Sequence, residues 1–359
     1  MEAPELELAD GWREVPPREG APDLLLEEAG RLRHYSSGFA LRHEFGRVGQ
    51  VPCPIAYSPE TRTAYRHVCE SRPLAKDFSE LRAYDLRTGR SHAVARLRVN
   101  QWMLWLLEWI GPADRSGESG CLFGLLATDA QSAEQVSIQH HLFFCRPEDG
   151  RVRRRPLCRD AYAPLALGRS RRALVFAGAE GLYLVGLNGE RRASLVRTEG
   201  PLGRGASFEP GAGGRVALGG NGLYLWNPEE GRCQKLAQRG HYPAWSADGR
   251  GIFYSESSAD LWYHELASGR ATRLAALRRN RQPEFTYARQ PAQSPCGRYV
   301  MLPLTVKQMR GVSGAAPGGR EYVYDFGHGF CVFDLERREV WRKNGYSGGF
   351  CWAPGAGAA

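Results

Sequence analysis

Apolar residues in this chain come in short runs, separated by turn-forming Gly, Pro, Asn, Asp and Ser. Runs of that kind predict strands rather than helices. The clearest unit covers residues 241–275, HYPAWSADGRGIFYSESSADLWYHELASGRATRLA. It predicts four strands. Residues 243–246 lead into a turn at 247–250, residues 251–255 form the second strand, and Leu261-Trp262-Tyr263 centre the third. Ser268-Gly269 supplies the last hairpin turn, because glycine tolerates the positive φ of tight hairpins.

Both halves of the unit recur. With Trp245 as anchor, the matching first-half positions are Tyr57, Leu167, Phe208, Gln293 and Trp352, with a weaker copy near Trp105. The second half returns at Leu81 (LRAYDLRTGR), Leu142 (LFFCRPEDGR), Leu182, Leu223 and Leu261, and at Phe330 (FCVFDLERR) without its turn glycine. Anchor spacings from Leu167 onward are 41, 37, 48 and 59 residues. The first three are close to the roughly 40–45 residues of a four-stranded propeller blade, and the last implies an insertion. The stretch Trp102–Ile110 fits a helix through Trp102, Trp105 and Trp109, or a strand through Met103, Trp105, Leu107 and Trp109. Repeat register favours the strand.

WSADGRGIFYS followed by DLWYHELASGR resembles the blade repeat of TolB-type propellers, also found in the propeller of prolyl oligopeptidases and similar to WD repeats. The resemblance covers about two-thirds of the chain and implies an all-β fold, a single closed β-propeller over residues 1–359. Seven four-stranded blades are expected, six being the alternative. One fold hosts many functions, so the resemblance implies no activity. No hydrolase domain or second domain accompanies the repeats.

Closure of the propeller carries a sharper expectation. The last anchor, Trp352, lies too close to residue 359 for its blade to finish in that direction. A composite last blade is therefore expected, with its inner strand at residues 350–352 and its other strands from residues 24–50, at 24–26, 31–35 and 38–45. Trp226, Trp245, Trp262, Phe253, Phe333 and Trp341 are the expected core between blades.

Composition narrows the picture further. The densest apolar stretch is Trp102–Ile110, nine residues that include Glu108, whereas a membrane-spanning helix needs about 20. No secretory signal is expected at the acidic N-terminus. Nine cysteines, an odd number without C-x-x-C spacing, predict free thiols and a cytoplasmic setting. Of 48 basic residues 44 are arginine, and the net charge is +9. Residues 1–30 nevertheless hold nine acids against Arg13 and Arg18. An acidic arm over residues 1–23 is thus expected to fold back onto a basic body.

Catalytic chemistry finds no footing in these motifs. Gly345-Tyr346-Ser347-Gly348-Gly349 matches a nucleophile elbow, yet no acid or histidine follows it, so Ser347 is read as a turn residue. Asp325-Phe326-Gly327 lacks the other kinase motifs. The glycine clusters at 200–205 and 211–214 lack phosphate-loop context. His140-His141 are neighbours, which in a strand point to opposite faces. No catalytic residue, cofactor or metal site is expected, and the expected partner is a protein bound by a propeller face or rim. The candidate partner-binding residues are Arg153, Arg154 and Arg155 with Arg171 and Arg172, and Lys307, Arg310 and Arg320 in a flexible basic insertion loop at 305–320. Two alternatives stay open. One is a ligand-binding or enzymatic channel reached by His43, His67, Asp160, Glu209 and His241. The other is nucleic acid held by the arginine strip.

Overall fold

The computed structural model describes residues 6–17, 22–28, 30–36, 40–47, 54–69, 78–98, 102–111, 119–132, 135–155, 161–168, 173–178, 181–186, 191–195, 202–211, 213–257, 260–277, 284–288, 290–316, 319–344 and 349–353. Its regular elements are all strands. The N-terminal segment holds β1 (Leu6–Leu8) and β2 (Arg13–Glu14). Next come β3 (Asp23–Glu28), β4 (Arg31–Tyr35) and β5 (Leu41–Arg47). Three quartets follow. They are β6 (Ile55–Ser58), β7 (Thr63–Cys69), β8 (Phe78–Asp85) and β9 (Arg90–Arg98); β10 (Trp102–Ile110), β11 (Gly120–Ser132), β12 (Gln135–Arg146) and β13 (Arg151–Arg155); and β14 (Ala161–Gly168), β15 (Ala173–Gly178), β16 (Gly181–Gly186) and β17 (Arg191–Leu195).

Two more quartets are β18 (Leu202–Phe208), β19 (Val216–Gly220), β20 (Leu223–Asn227) and β21 (Arg232–Ala237), then β22 (His241–Trp245), β23 (Gly251–Ser255), β24 (Asp260–Glu265) and β25 (Ala271–Leu277). The chain continues through β26 (Glu284–Ala288), β27 (Ala292–Gln293), β28 (Tyr299–Ala316), β29 (Gly319–Asp334), β30 (Glu339–Asn344) and β31 (Phe350–Ala353). These strands form seven separate sheets, the blades of a seven-bladed β-propeller. By contact they group into two compact units, Met1–Pro17 with Arg197–Tyr346 and Arg18–Val196 with Ser347–Ala359.

In the unit that contains β3 to β17, one blade has the order β31-β3-β4-β5. Asp23 pairs with Ala353 and Leu26 with Phe350, so the composite blade forms as the sequence predicts. A buried ion pair ties this blade to β7 of the next. Arg66 Nη2 lies 2.7 Å from Glu27 Oε2, and Arg66 Nη1 donates to the His67 carbonyl at 2.8 Å. The Glu27 carboxylate also accepts from the Gly349 amide at 3.4 Å. Between the two blades, Leu25, Leu32 and Phe45 pack on Tyr57, Ala64 and Tyr84. The stretch Trp102–Ile110 is a strand, and Trp109 stacks flat on Tyr65 at 5.2 Å.

The other unit holds β1, β2 and β18 to β30. Ala244, Phe253, Leu261 and Leu274 of the β22–β25 blade pack there against Val300, Leu302 and Phe333 of the next. Trp226, Trp245, Phe253, Phe333 and Trp341 are buried as expected, and Trp262 is partly buried. One sequence expectation changes. Residues 305–320 are not a loop: residues 305–316 continue β28, and Gly319 and Arg320 begin β29. The ladder between them runs from Tyr299↔Asp334 to Ala316↔Gly319. Gly and Ala composition suggested a loop, but backbone pairing does not depend on side chains. The acidic N-terminal arm folds back onto neighbouring blades through backbone pairing, and its last residue belongs to a strand of another blade. β1 pairs antiparallel with β25, β2 pairs parallel with β30, and Asp23 already belongs to β3.

Turn chemistry repeats from blade to blade. Four of the described turns between a blade's third and fourth strands carry a left-handed glycine: Gly89 (φ 69°), Gly150 (64°), Gly231 (65°) and Gly269 (68°). In the copy that lost its glycine, Arg338 takes the same conformation at φ 55°. Any side chain there carries strain that glycine avoids.

Candidate functional site

Within the unit that holds β18 to β30, a cleft of about 610 Å³ opens between the β22–β25 blade and the blade of β26 to β30. Both blades contribute the turn between their first and second strands. In one, Ser246 Oγ donates to Asp248 Oδ1 at 2.6 Å and accepts from the Gly251 amide at 2.9 Å. Burial pushes the Asp248 carboxyl up, but the Ser246 hydroxyl and the Arg250 amide outweigh it and hold the group below its usual value. In the other, Tyr299 donates its amide to Ser294 Oγ at 3.0 Å, and Cys296 is exposed. Gln293 joins the two turns, accepting from the Ala247 amide and donating to the Gly297 carbonyl.

Arg298 forms the charged shoulder of the cleft. Its guanidinium grips Asp334 by Nε at 2.9 Å and Nη2 at 2.5 Å, and reaches Glu336 at 3.0 Å. Burial raises the Asp334 carboxyl, yet Arg298 and the amides of Arg337 and Glu336 bring it below its usual value. Phe253, Tyr263, Leu274 and Leu335 give the cleft its apolar side. Phe253 and Tyr263 meet at 4.9 Å between ring centres. The third wall is the N-terminal segment, through Ala9, Asp10 and Trp12. Trp12 meets Phe333 edge-on at 5.6 Å, and Arg338 completes the rim.

The arrangement offers a bound molecule the carboxylates of Asp10, Asp248 and Glu336, the Arg298 and Arg338 guanidinium groups, the exposed Cys296 thiol and an apolar side. Its serine, Ser246, is committed to its own turn, and no histidine lines the cleft. Among the described residues no group of three His, Cys, Asp or Glu side chains could hold a metal ion.

The residues singled out from sequence lie elsewhere. Arg153 and Arg154 are exposed on β13, and Arg155 ends that strand. Strand alternation puts Arg153 on the face opposite Val152 and Arg154, so the run is not one patch. Arg171 and Arg172 fall outside the described residues, as do Ser347 and Asp160. Lys307 pairs with Phe326 along the long hairpin, Arg310 sits at its bulge, and Arg320 begins its return strand. Of the channel candidates, His43 belongs to the outer strand of its blade and stacks on His34 at 5.5 Å. His67 is buried against Phe123, and burial followed by the Arg66 charge drives it down to about 3. Glu209 follows β18 and bonds Arg215, whereas His241 begins β22.

The cleft residues escaped the sequence reading. The S-x-D-G-R and S-P-C-G-R turns are visible as repeats, but Arg298 meets Asp334 across 36 positions. Nothing local announces that pairing.

Fold and cleft together define a seven-bladed β-propeller with a binding-sized groove between two neighbouring blades. No family model and no curated protein matches the chain. Among solved structures it is similar to the dihydro-heme d1 dehydrogenase NirN in complex with DHE, at 15% identity over 97% of this chain and 80% of that one, with a TM-score of 0.56. An oligogalacturonate lyase from Vibrio parahaemolyticus is similar at 12% identity, over 81% of this chain and 86% of that one, also with a TM-score of 0.56. TolB from Acinetobacter baumannii matches at 12% identity, over 93% of this chain and 66% of that one, with a TM-score of 0.42. At such identities the first two likenesses show the fold alone.

Proposed function

We propose that the chain is a non-catalytic recognition module that holds an extended segment of a protein partner in the cleft between the β22–β25 blade and its neighbour. The observation that carries this reading is the make-up of the cleft. Its apolar side is flanked by charges of both signs, Asp10, Asp248 and Glu336 against Arg298 and Arg338. A polypeptide offers that mixture of apolar side chains, charges and backbone groups, and the volume lies within the roughly 300–1,000 Å³ of binding clefts. Rigid blades presenting loops suit recognition. Among the described residues no helix is long and apolar enough to cross a membrane. Cys121, Cys145, Cys233, Cys296, Cys331 and Cys351 are free thiols, which supports a reducing compartment such as the cytoplasm.

A photo-crosslinking amino acid at Thr272, on the cleft wall, tests the reading in native cells. A trypsin-sensitive adduct of discrete mass is expected from position 272, absent from position 232 on the exposed β21, and lost in Tyr263→Ala. Adducts alike at both positions, or a small-molecule adduct at 272, would overturn it.

A further inference from the structure

The N-terminal segment shows how these two blades take a strand. Leu6, Glu7 and Leu8 pair with Leu277, Ala276 and Ala275 on the outer edge of one blade. The Ala9 amide continues the ladder to the Leu274 carbonyl at 3.0 Å. The chain then turns at Gly11 (φ 81°) and crosses to the next blade, where the Arg13 and Val15 amides donate to the Arg338 and Val340 carbonyls. Charge follows the same path. Glu7 meets Arg273 at 3.2 Å and Glu14 meets Arg342 at 2.6 Å, with Arg13 to Glu339 at 2.6 Å as the pair of opposite polarity. Leu6, Leu8 and Trp12 pack on the core between the blades.

We infer that the outer edges of β25 and β30 form a strand-docking groove for extended acidic protein segments, and that residues 6–15 are its resident occupant. The inference rests on the recognition reading and deepens it by naming the partner's chemistry. That partner carries an acid between two apolar residues, an aromatic four positions on, and a second acid shortly after. Unpaired outer edges accept a strand through backbone bonds, with alternate side chains supplying specificity. A tethered occupant competes at an effective concentration in the millimolar range. An incoming segment gains on it by filling the adjacent cleft, which the resident segment lines through Ala9, Asp10 and Trp12 without filling.

The probe is a fluorescent peptide with the sequence of residues 5–17, added to the full-length protein. Trp12→Ala loosens the resident segment, so the variant should bind the peptide at least about tenfold more tightly than wild type. Release should also expose Arg13 to trypsin in the variant and not in wild type. A peptide with lysine in place of Glu7 and Glu14 should not bind. If Trp12→Ala fails to fold, the doubly substituted Glu7→Lys, Glu14→Lys protein loosens the segment without touching the core. Equal peptide binding by wild type and variant, or no binding by a variant whose Arg13 has become cleavable, would sink the inference. The crosslink at Thr272 reports on the cleft and the peptide on the blade edges, so failure of the inference is distinguishable from failure of the reading it rests on.

Discussion

Breaking the ion pair between Glu27 and Arg66 should weaken the protein far more than its single contact suggests. Both side chains are almost wholly excluded from solvent, Arg66 at 0% and Glu27 at 2% exposure. Removing one partner leaves the other as a buried charge, which typically costs about 3–5 kcal/mol. Arg66→Met and Glu27→Leu should each fall in that range. The double variant replaces the pair with apolar groups and leaves the His67 carbonyl and the Gly349 amide each short of a partner, a loss of roughly 1–3 kcal/mol. The double variant should therefore be more stable than either single one. Urea unfolding followed by tryptophan fluorescence reads this from the midpoints, provided the slopes agree. Additive single effects, or an Arg66→Met cost under about 1 kcal/mol, would refute the view that this pair fastens the composite blade to its neighbour.

Three further outcomes are expected. His67 is neutral when folded and titrates near 3, so the unfolded chain binds the extra proton between that value and about 6.5. Stability should then fall as pH drops from 7 to 5, by about 2 kcal/mol from this group, and His67→Leu should flatten that slope. Arg338→Gly should raise stability by up to about 1 kcal/mol by relieving the left-handed arginine, while weakening partner capture at the rim it vacates; a lower melting temperature would count against the strain. Burial pushes the Cys121 thiol far up, Cys145 up to about 11 and Cys331 up to about 12. A thiol reagent should therefore label Cys296 in the native protein and those three after unfolding, as mapped by mass spectrometry.

The blades were legible because their turns obey one local rule, with a polar residue such as Asp85 or Asn227 followed four positions later by a left-handed glycine. The composite blade was legible because Trp352 marks an inner strand whose partners had to come from elsewhere. The cleft was not legible. It is built from contacts such as Arg298 with Asp334 and Trp12 with Phe333, whose partners lie far apart in sequence. Charge hinted that the N-terminal segment folds back, but charge sets no register, and pairing with β25 and β30 depends on edges that only the assembled blades present. The long hairpin was misread because its Gly- and Ala-rich tip resembles a loop.

The composite blade also sets a timetable for synthesis. Glu27 and its partner Gly349 are separated by 322 positions. At about 5–20 residues per second, a ribosome needs roughly 15–65 s to go from one to the other. Throughout that interval the edge of β3 that β31 will cover stands open on the nascent chain, carrying Leu24, Leu25 and Leu26. An open apolar strand edge is a template for wrong pairing. The contacts that define the finished blade thus become available only long after β3 has been made, and until then its edge is exposed to such mispairing.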